Sequence, residues 1–355
     1  MARRARGATS NPQSRFDRLR YDEALVASLD GAGGEADEPA PDPRTVYLAD
    51  PSRTIVARNE SPDVGFEASV NPYRGCEHAC SYCYARPTHE YLGLSAGLDF
   101  ETRIFVKHEA PALLRKALDA PRWKPTVVAL SGVTDAYQPI ERKLGLTRRV
   151  LGVLAEYRNP VAVVTKSWTV TRDADLLAEL ASHRAAAVFL SVTTLDASLQ
   201  RAMEPRAAPP ARRLAAIEAL AKAGVPVGVM VAPIVPGLTD HEVPRILEAA
   251  AGAGAGLAGR VVLRLPHGLK ALFEAWLDAH APGRKEKVLS RLRALHGGAL
   301  YDPGFGHRQR GAGVFADQIA QLFDAARRRA GLAERAPALS TAAFRRPRAQ
   351  GALFD

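Results

Sequence analysis

Outside one eight-residue stretch the chain has no cysteine: Cys76, Cys80 and Cys83 are the only three in 355 residues. That scarcity excludes a disulfide framework, which needs thiols in pairs along the chain, and scattered burial of cysteine as a small hydrophobe. It also excludes a further cluster with cysteine ligands of its own. Long apolar runs are lacking as well. The longest mostly apolar stretch, residues 225–238, is interrupted by Pro226, Gly228, Pro233, Pro236 and Gly237. It is too short and too broken to span a bilayer, so no membrane partner is expected. Residues 1–17 carry arginines but no apolar segment, which argues against a secretory leader. Clustered free thiols suit a reducing compartment, and a cytoplasmic location is expected.

What is present is an ordinary globular composition, 24% charged and 47% hydrophobic. The formal charge of +10 invites a nucleic-acid partner. Part of it sits at the ends, in Arg3, Arg4, Arg6, Arg15, Arg18 and Arg20, and in Arg327, Arg328, Arg329, Arg345, Arg346 and Arg348. A biased amino-acid usage, with arginine far above lysine, accounts for the same excess without any polyanion.

Residues 1–45 have few large apolar side chains and a Gly-, Ala- and acid-rich run, so a disordered leader is expected there. From Thr45-Val46-Tyr47 onward, short apolar runs alternate with helical patterns. Strands are expected at 66–70, 126–130, 161–164, 186–190, 225–231 and 260–263. Helices are expected at 143–156, 173–182, 211–223, 240–253 and 269–280. Such βα units build a parallel sheet. Such a series is compatible with a partial barrel or a doubly wound sheet, and the fold class expected is α/β, a partial (β/α)6 TIM-like barrel over residues 46–284. Polar or turn-forming groups after the strands favour a barrel, whose strand ends share one rim. The loop at 71–87 lies on that rim. Residues 285–332 are expected as a C-terminal helical extension, and 333–355 as a basic flexible tail.

The spacing C-x3-C-x2-C lets one loop hold three irons of a four-iron cluster and leave the fourth open. The competing reading is a closed zinc site that adds His78 or His89. Zinc sites usually pair C-x2-C with a distant second pair, and no distant cysteine exists here.

With Tyr82 before the third cysteine, the loop resembles the C-x3-C-x-aromatic-C signature of radical S-adenosylmethionine (radical SAM) enzymes. The extended context resembles the SplB-type, DNA repair photolyase-like group, which is related to spore photoproduct lyase. It includes Asn71-Pro72-Tyr73-Arg74-Gly75, Tyr84-Ala85-Arg86-Pro87, Thr134-Asp135-Ala136-Tyr137-Gln138-Pro139-Ile140-Glu141, Thr165-Lys166-Ser167, Met203-Glu204-Pro205-Arg206 and the run from Ala232 through Asp240. The resemblance covers about residues 66–330.

The resemblance implies a [4Fe-4S] cluster on Cys76, Cys80 and Cys83, with SAM chelating the open iron. It implies a reductively generated 5′-deoxyadenosyl radical that abstracts hydrogen from substrate. A low-potential electron donor, flavodoxin- or ferredoxin-like, follows as a partner. Carried over by position, Tyr82 packs against the cluster and adenine, and Lys166 meets the methionine carboxylate. Thr134 and Asp135 lie near the methionine end, Ser191 and Thr193 near the ribose, and Pro233 near adenine. Arg206 and Glu204 either touch SAM or pair with each other. One departure stands out. The related lyase uses a further cysteine as hydrogen-atom donor, and here that region is Leu130-Ser131-Gly132-Val133-Thr134. Tyr84, Tyr91 and Tyr137 are the alternative relays. The substrate is open, with nucleic acid one candidate. The reading from another class is a non-enzymatic nucleic-acid-binding protein with a structural metal.

Overall fold

The computed structural model describes residues 6–16, 44–336 and 338–347. Among the described residues ten strands form: β1 (Val46–Ala49), β2 (Val56–Arg58), β3 (Ala68–Val70), β4 (Tyr73–Arg74), β5 (Arg103–Val106), β6 (Val128–Leu130), β7 (Val161–Thr165), β8 (Ala186–Ser191), β9 (Val227–Ile234) and β10 (Leu257–Val262). The main sheet is seven-stranded, in the order β10-β9-β8-β7-β6-β3-β2. From β3 to β10 every neighbour is parallel, and β2 pairs antiparallel with β3.

The parallel strands follow chain order without reversal. A doubly wound sheet reverses at a switch point, and this one does not. Sequential order is the wiring of a (β/α) barrel. Among the described residues no pairing joins β10 to β2, so the barrel is partial. All six strands expected from the apolar runs are present.

Continuous apolar strands need cover on both faces. Residues of β3 and β6 are buried throughout. Amphipathic helices supply the outer layer, among them Leu146–Tyr157, Ala174–Ser182, Pro210–Lys222 and Val243–Gly252. In the first, Leu146, Val150, Leu151 and Leu154 are fully buried at helical spacing. Each such leucine contributes about 1.5–3 kcal/mol by leaving water.

Several features depart from expectation. Residues 73–106 contribute most of a second, three-stranded sheet, β1-β5-β4, beside the cysteine loop. Two helices carried no clear signal, Ala110–Asp119 and Ala197–Met203. Of the supposed leader, residues 6–16 are placed against the cysteine loop, with Ala8 only 3% exposed. Residues 1–5 and 17–43 of that segment lie outside the described residues. Of the supposed flexible tail, residues 345 and 346 are also pinned, and residues 348–355 lie outside the described residues. Arg345 donates to Glu156 O (3.0 Å), and Arg346 to the carbonyls of Leu118 (3.1 Å), Ala120 and Trp123. These arginines serve the carboxyl ends of two helices, a favourable place for cations.

Beyond β10 the helices Lys285–Leu295 and Val314–Arg329 form the extension. The loop between them crosses the open seam of the barrel. Val262 N donates to Gln309 O (2.9 Å), and Gly306 N to Asp63 Oδ1 (2.6 Å) between β2 and β3. Arg308 pairs with the same Asp63 carboxylate.

Candidate metal and cofactor site

The cysteine loop follows β3 and β4 and lies at the carboxyl end of the parallel sheet. Cys76 and Cys80 are buried, Cys83 is half-buried, and all are free thiols. Burial pushes the Cys80 thiol up to about 12, a rise the nearby Glu204 carboxylate reinforces and Lys166 opposes. Burial likewise raises Cys76 and Cys83. Thiols so placed are neutral until a metal displaces their protons.

Two buried ion pairs clamp this loop. Arg86, fully buried, donates twice to Cys80 O (2.9 and 2.8 Å), to Gly97 O (2.9 Å), and to the buried Glu101 carboxylate. On the other side Tyr82 OH donates to Glu204, whose second oxygen takes Arg213. Arg213 also donates to Ala208 O (2.6 Å) and Ser191 O (2.9 Å). Burial alone would raise the Glu204 carboxyl, but Arg213, Lys166 and the hydrogen bonds bring it down to about 2. Tyr82 is thereby fixed between the loop and the ends of β8 and β9.

The expected site residues gather here. Lys166, half-buried at the end of β7, holds its Nζ 5.8 Å from the Tyr82 ring centroid. Among the described residues no carboxylate lies within ion-pair distance of that ammonium. The Ser191 and Thr193 side chains are buried at the end of β8. Thr193 Oγ1 donates to Glu204 Oε1 (2.7 Å), within the Tyr82 network. Pro233 is buried in β9, beside Ala232, whose carbonyl lies 3.3 Å from Thr193 Oγ1.

Thr134 and Asp135 lie at the end of β6, with their polar atoms engaged by protein. Thr134 Oγ1 donates to Tyr73 O (3.1 Å). Asp135 accepts from Thr165 Oγ1 (2.7 Å), Lys166 N (2.8 Å) and Tyr137 N (2.9 Å), and lies 3.3 Å from His78 Nδ1. Burial raises this carboxyl, but His78 and these donors outweigh it and hold it at about 2. Asp135 thus ties the cysteine loop to β7.

One pairing is corrected. Glu204 bonds Arg213, and Arg206 instead bonds Glu77 (2.9 Å), a buried carboxylate that also takes Tyr47 OH and Ile140 N. Two residues apart, Glu204 and Arg206 diverge because the helix Ala197–Met203 ends at Glu204, its C-cap, and the backbone beyond it is irregular. The residues that sequence reasoning missed are Arg86, Glu101, Arg213 and Glu77. Charged residues are rarely fully buried unless paired, but a sequence shows neither burial nor partner.

The donor set fits a cluster held by three thiolates. Among the described residues no three His, Cys, Asp or Glu side chains converge as one metal ion requires. A cubic cluster instead offers each thiolate its own iron. The imidazoles that a zinc site would use are engaged, His78 with Asp135 and His89 Nε2 with Arg103 O (2.9 Å).

The radical SAM superfamily pattern matches residues 70–250, and the chain belongs to that superfamily. An uncharacterized protein of Mycobacterium tuberculosis (strain ATCC 25618 / H37Rv) is 38% identical over 252 residues, 70% of this chain and 73% of the relative. An uncharacterized protein of Methanocaldococcus jannaschii is 30% identical over 178 residues, 50% of this chain and 64% of the relative. A spore photoproduct lyase variant with bound AdoMet and dinucleoside spore photoproduct has a TM-score of 0.53 and 18% identity. The match covers 81% of this chain and 78% of that one. That likeness is one of fold. The protein is a radical SAM enzyme, a class that works with a reducing electron donor. No helix among the described residues is long and apolar enough to cross a membrane.

Proposed function

We propose that the protein binds one [4Fe-4S] cluster through Cys76, Cys80 and Cys83 and reductively cleaves SAM to initiate hydrogen abstraction from a nucleic-acid substrate. The observation that carries this reading is an ammonium, Lys166, that no carboxylate pairs among the described residues, beside the Tyr82 ring of a loop bearing three free thiols. When bound by Cys76, Cys80 and Cys83, the cluster, with SAM, would supply the one-electron chemistry that starts hydrogen abstraction.

The chain's own residues hold and orient. Lys166 offers its charge to the methionine carboxylate, which is worth most where water is excluded. Tyr82, locked by Glu204, presents a flat apolar face to adenine. Ser191, buried at the end of β8, is placed for a ribose hydroxyl. Pro233 walls the adenine side. The buried clamps Arg86–Glu101 and Arg213–Glu204 keep the ligand loop in one geometry, and the flanking apolar residues exclude water. Tyr84, directly after Cys83, donates to Gly132 O, where the related lyase's donor cysteine has no counterpart. Nucleic acid as substrate rests on the fold shared with a lyase solved with a dinucleoside and on the +10 charge.

Anaerobic reconstitution with iron and sulfide, then dithionite and SAM, is expected to yield 5′-deoxyadenosine. A fully loaded protein that leaves SAM intact would sink the proposal. The alternative, a structural metal with arginine-rich ends grasping phosphate, is weakened by Arg345 and Arg346, which are spent on helix carbonyls.

A further inference from the structure

We propose that residues 6–12 form a strap which, through Glu101 as a positioning residue, fixes the Cys80 portion of the metal-binding loop. The inference rests on the reading that this loop holds a cluster. Gly7, Ala8, Thr9, Ser10, Asn11 and Pro12 offer almost nothing to hydrophobic burial, yet they lie against the loop. Main-chain bonds hold them. Gly7 N and Ala8 N donate to the Glu101 carboxylate at 3.2 and 2.8 Å. Leu98 N donates to Ser10 O (3.3 Å), and Ser95 Oγ to Pro12 O (2.6 Å). Asn11 and Asp99 exchange a reciprocal pair at 3.0 and 2.9 Å. Ala8 shares an apolar cluster with Cys80, Tyr82 and Leu98.

Both crossing points are glycine. A Cβ on Gly7 would lie 1.8 Å from Ala79 O, within the ligand loop itself. A Cβ on Gly97 would lie 2.0 Å from Ser10 O. No side chain fits at either place, so the two backbones meet only because both residues lack one.

The strap connects to the ligand loop by a continuous polar path. Its amides satisfy the Glu101 carboxylate, Glu101 holds Arg86, and Arg86 grips the Cys80 carbonyl with two hydrogen bonds. Glu101 and Arg86 are fully buried. With the strap lifted, Glu101 loses two donors and meets water, and the grip on Cys80 slackens.

The test uses the full chain, reconstituted anaerobically with iron and sulfide. Gly7→Ala and Gly97→Ala break the crossing from opposite sides without touching a thiol. Hydrogen exchange at the amides of residues 7, 8 and 98 reports undocking. A ferrous chelator reports iron release, and the electron paramagnetic resonance spectrum of the reduced cluster reports ligand geometry. Both variants are expected to undock the strap, release iron roughly tenfold faster, and alter the spectrum, since one hydrogen bond to a charged group is about that factor. Asn11→Ala, which adds no atoms, is expected to shift release in the same direction by less. Wild-type release and spectrum with an undocked strap would overturn the positioning role. Unchanged exchange in both glycine variants would overturn the crossing geometry. A wild-type chain that takes up no cluster would instead refute the preceding proposal, and amide protection at residues 7 and 8 would still report the strap.

Discussion

Replacing Arg213 by methionine probes the clamp that holds Tyr82 at the site. The guanidinium is fully buried and bonds Glu204, Ala208 O and Ser191 O. Its removal leaves the Glu204 carboxylate fully buried, with Tyr82 and Thr193 as donors and Lys166 as the nearby cation. Burial raises that carboxyl, and Arg213 is the leading cause of its lowering, acting alongside Lys166 and the hydrogen bonds. Stripping one partner from a buried pair costs about 3–5 kcal/mol. The expected loss of stability near neutral pH is therefore about 3 kcal/mol. A depressed carboxyl stabilises the fold above its unfolded value of 4.5, and the contribution is lost as pH falls toward about 2. In the variant burial dominates, Glu204 takes up a proton more readily, and the deficit shrinks on acidification from neutral toward 4.5. Urea unfolding of the anaerobically loaded proteins across that range measures both effects. A deficit below about 1 kcal/mol at neutral pH, or one that widens on acidification, would refute the reasoning.

Other substitutions separate cofactor contacts from scaffolding. Lys166→Met is expected to weaken SAM binding about tenfold or more with iron content unchanged; equilibrium dialysis at wild-type affinity would remove Lys166 from the SAM site. Cys80→Ala is expected to leave a protein unable to hold an intact four-iron cluster, because the chain has no spare thiol; wild-type iron and sulfide content would refute the ligand assignment. Arg206→Ala breaks a pair whose arginine is 29% exposed. Because the Glu77 carboxylate it leaves is fully buried, with Tyr47 OH and Ile140 N as remaining donors, it is expected to cost about 2–3 kcal/mol in thermal unfolding and to leave SAM affinity within about twofold; a large affinity loss would return Arg206 to the cofactor site.

The parallel strands were legible because buried strands must be continuously apolar, and runs such as residues 161–164 and 186–190 admit few other readings. The cysteine loop was legible because its residues are neighbours in the chain. The partners of charged residues were not, since Glu204 finds Arg213 and Arg206 finds Glu77 by the path of the backbone after a short helix. The docking of residues 6–12 was hidden for a different reason. It depends on backbone amides, a buried Glu101 and two glycines 90 residues apart, features that composition and periodicity do not register. The placement of Arg345 and Arg346 was hidden similarly, because they act on main-chain carbonyls.

The central claim is that three thiolates leave one iron free for SAM. Electron paramagnetic resonance of the dithionite-reduced, reconstituted protein, recorded with and without SAM, tests it most directly. The account predicts a four-iron signal whose g values shift when SAM is added. A well-formed four-iron signal that SAM leaves unchanged would contradict it.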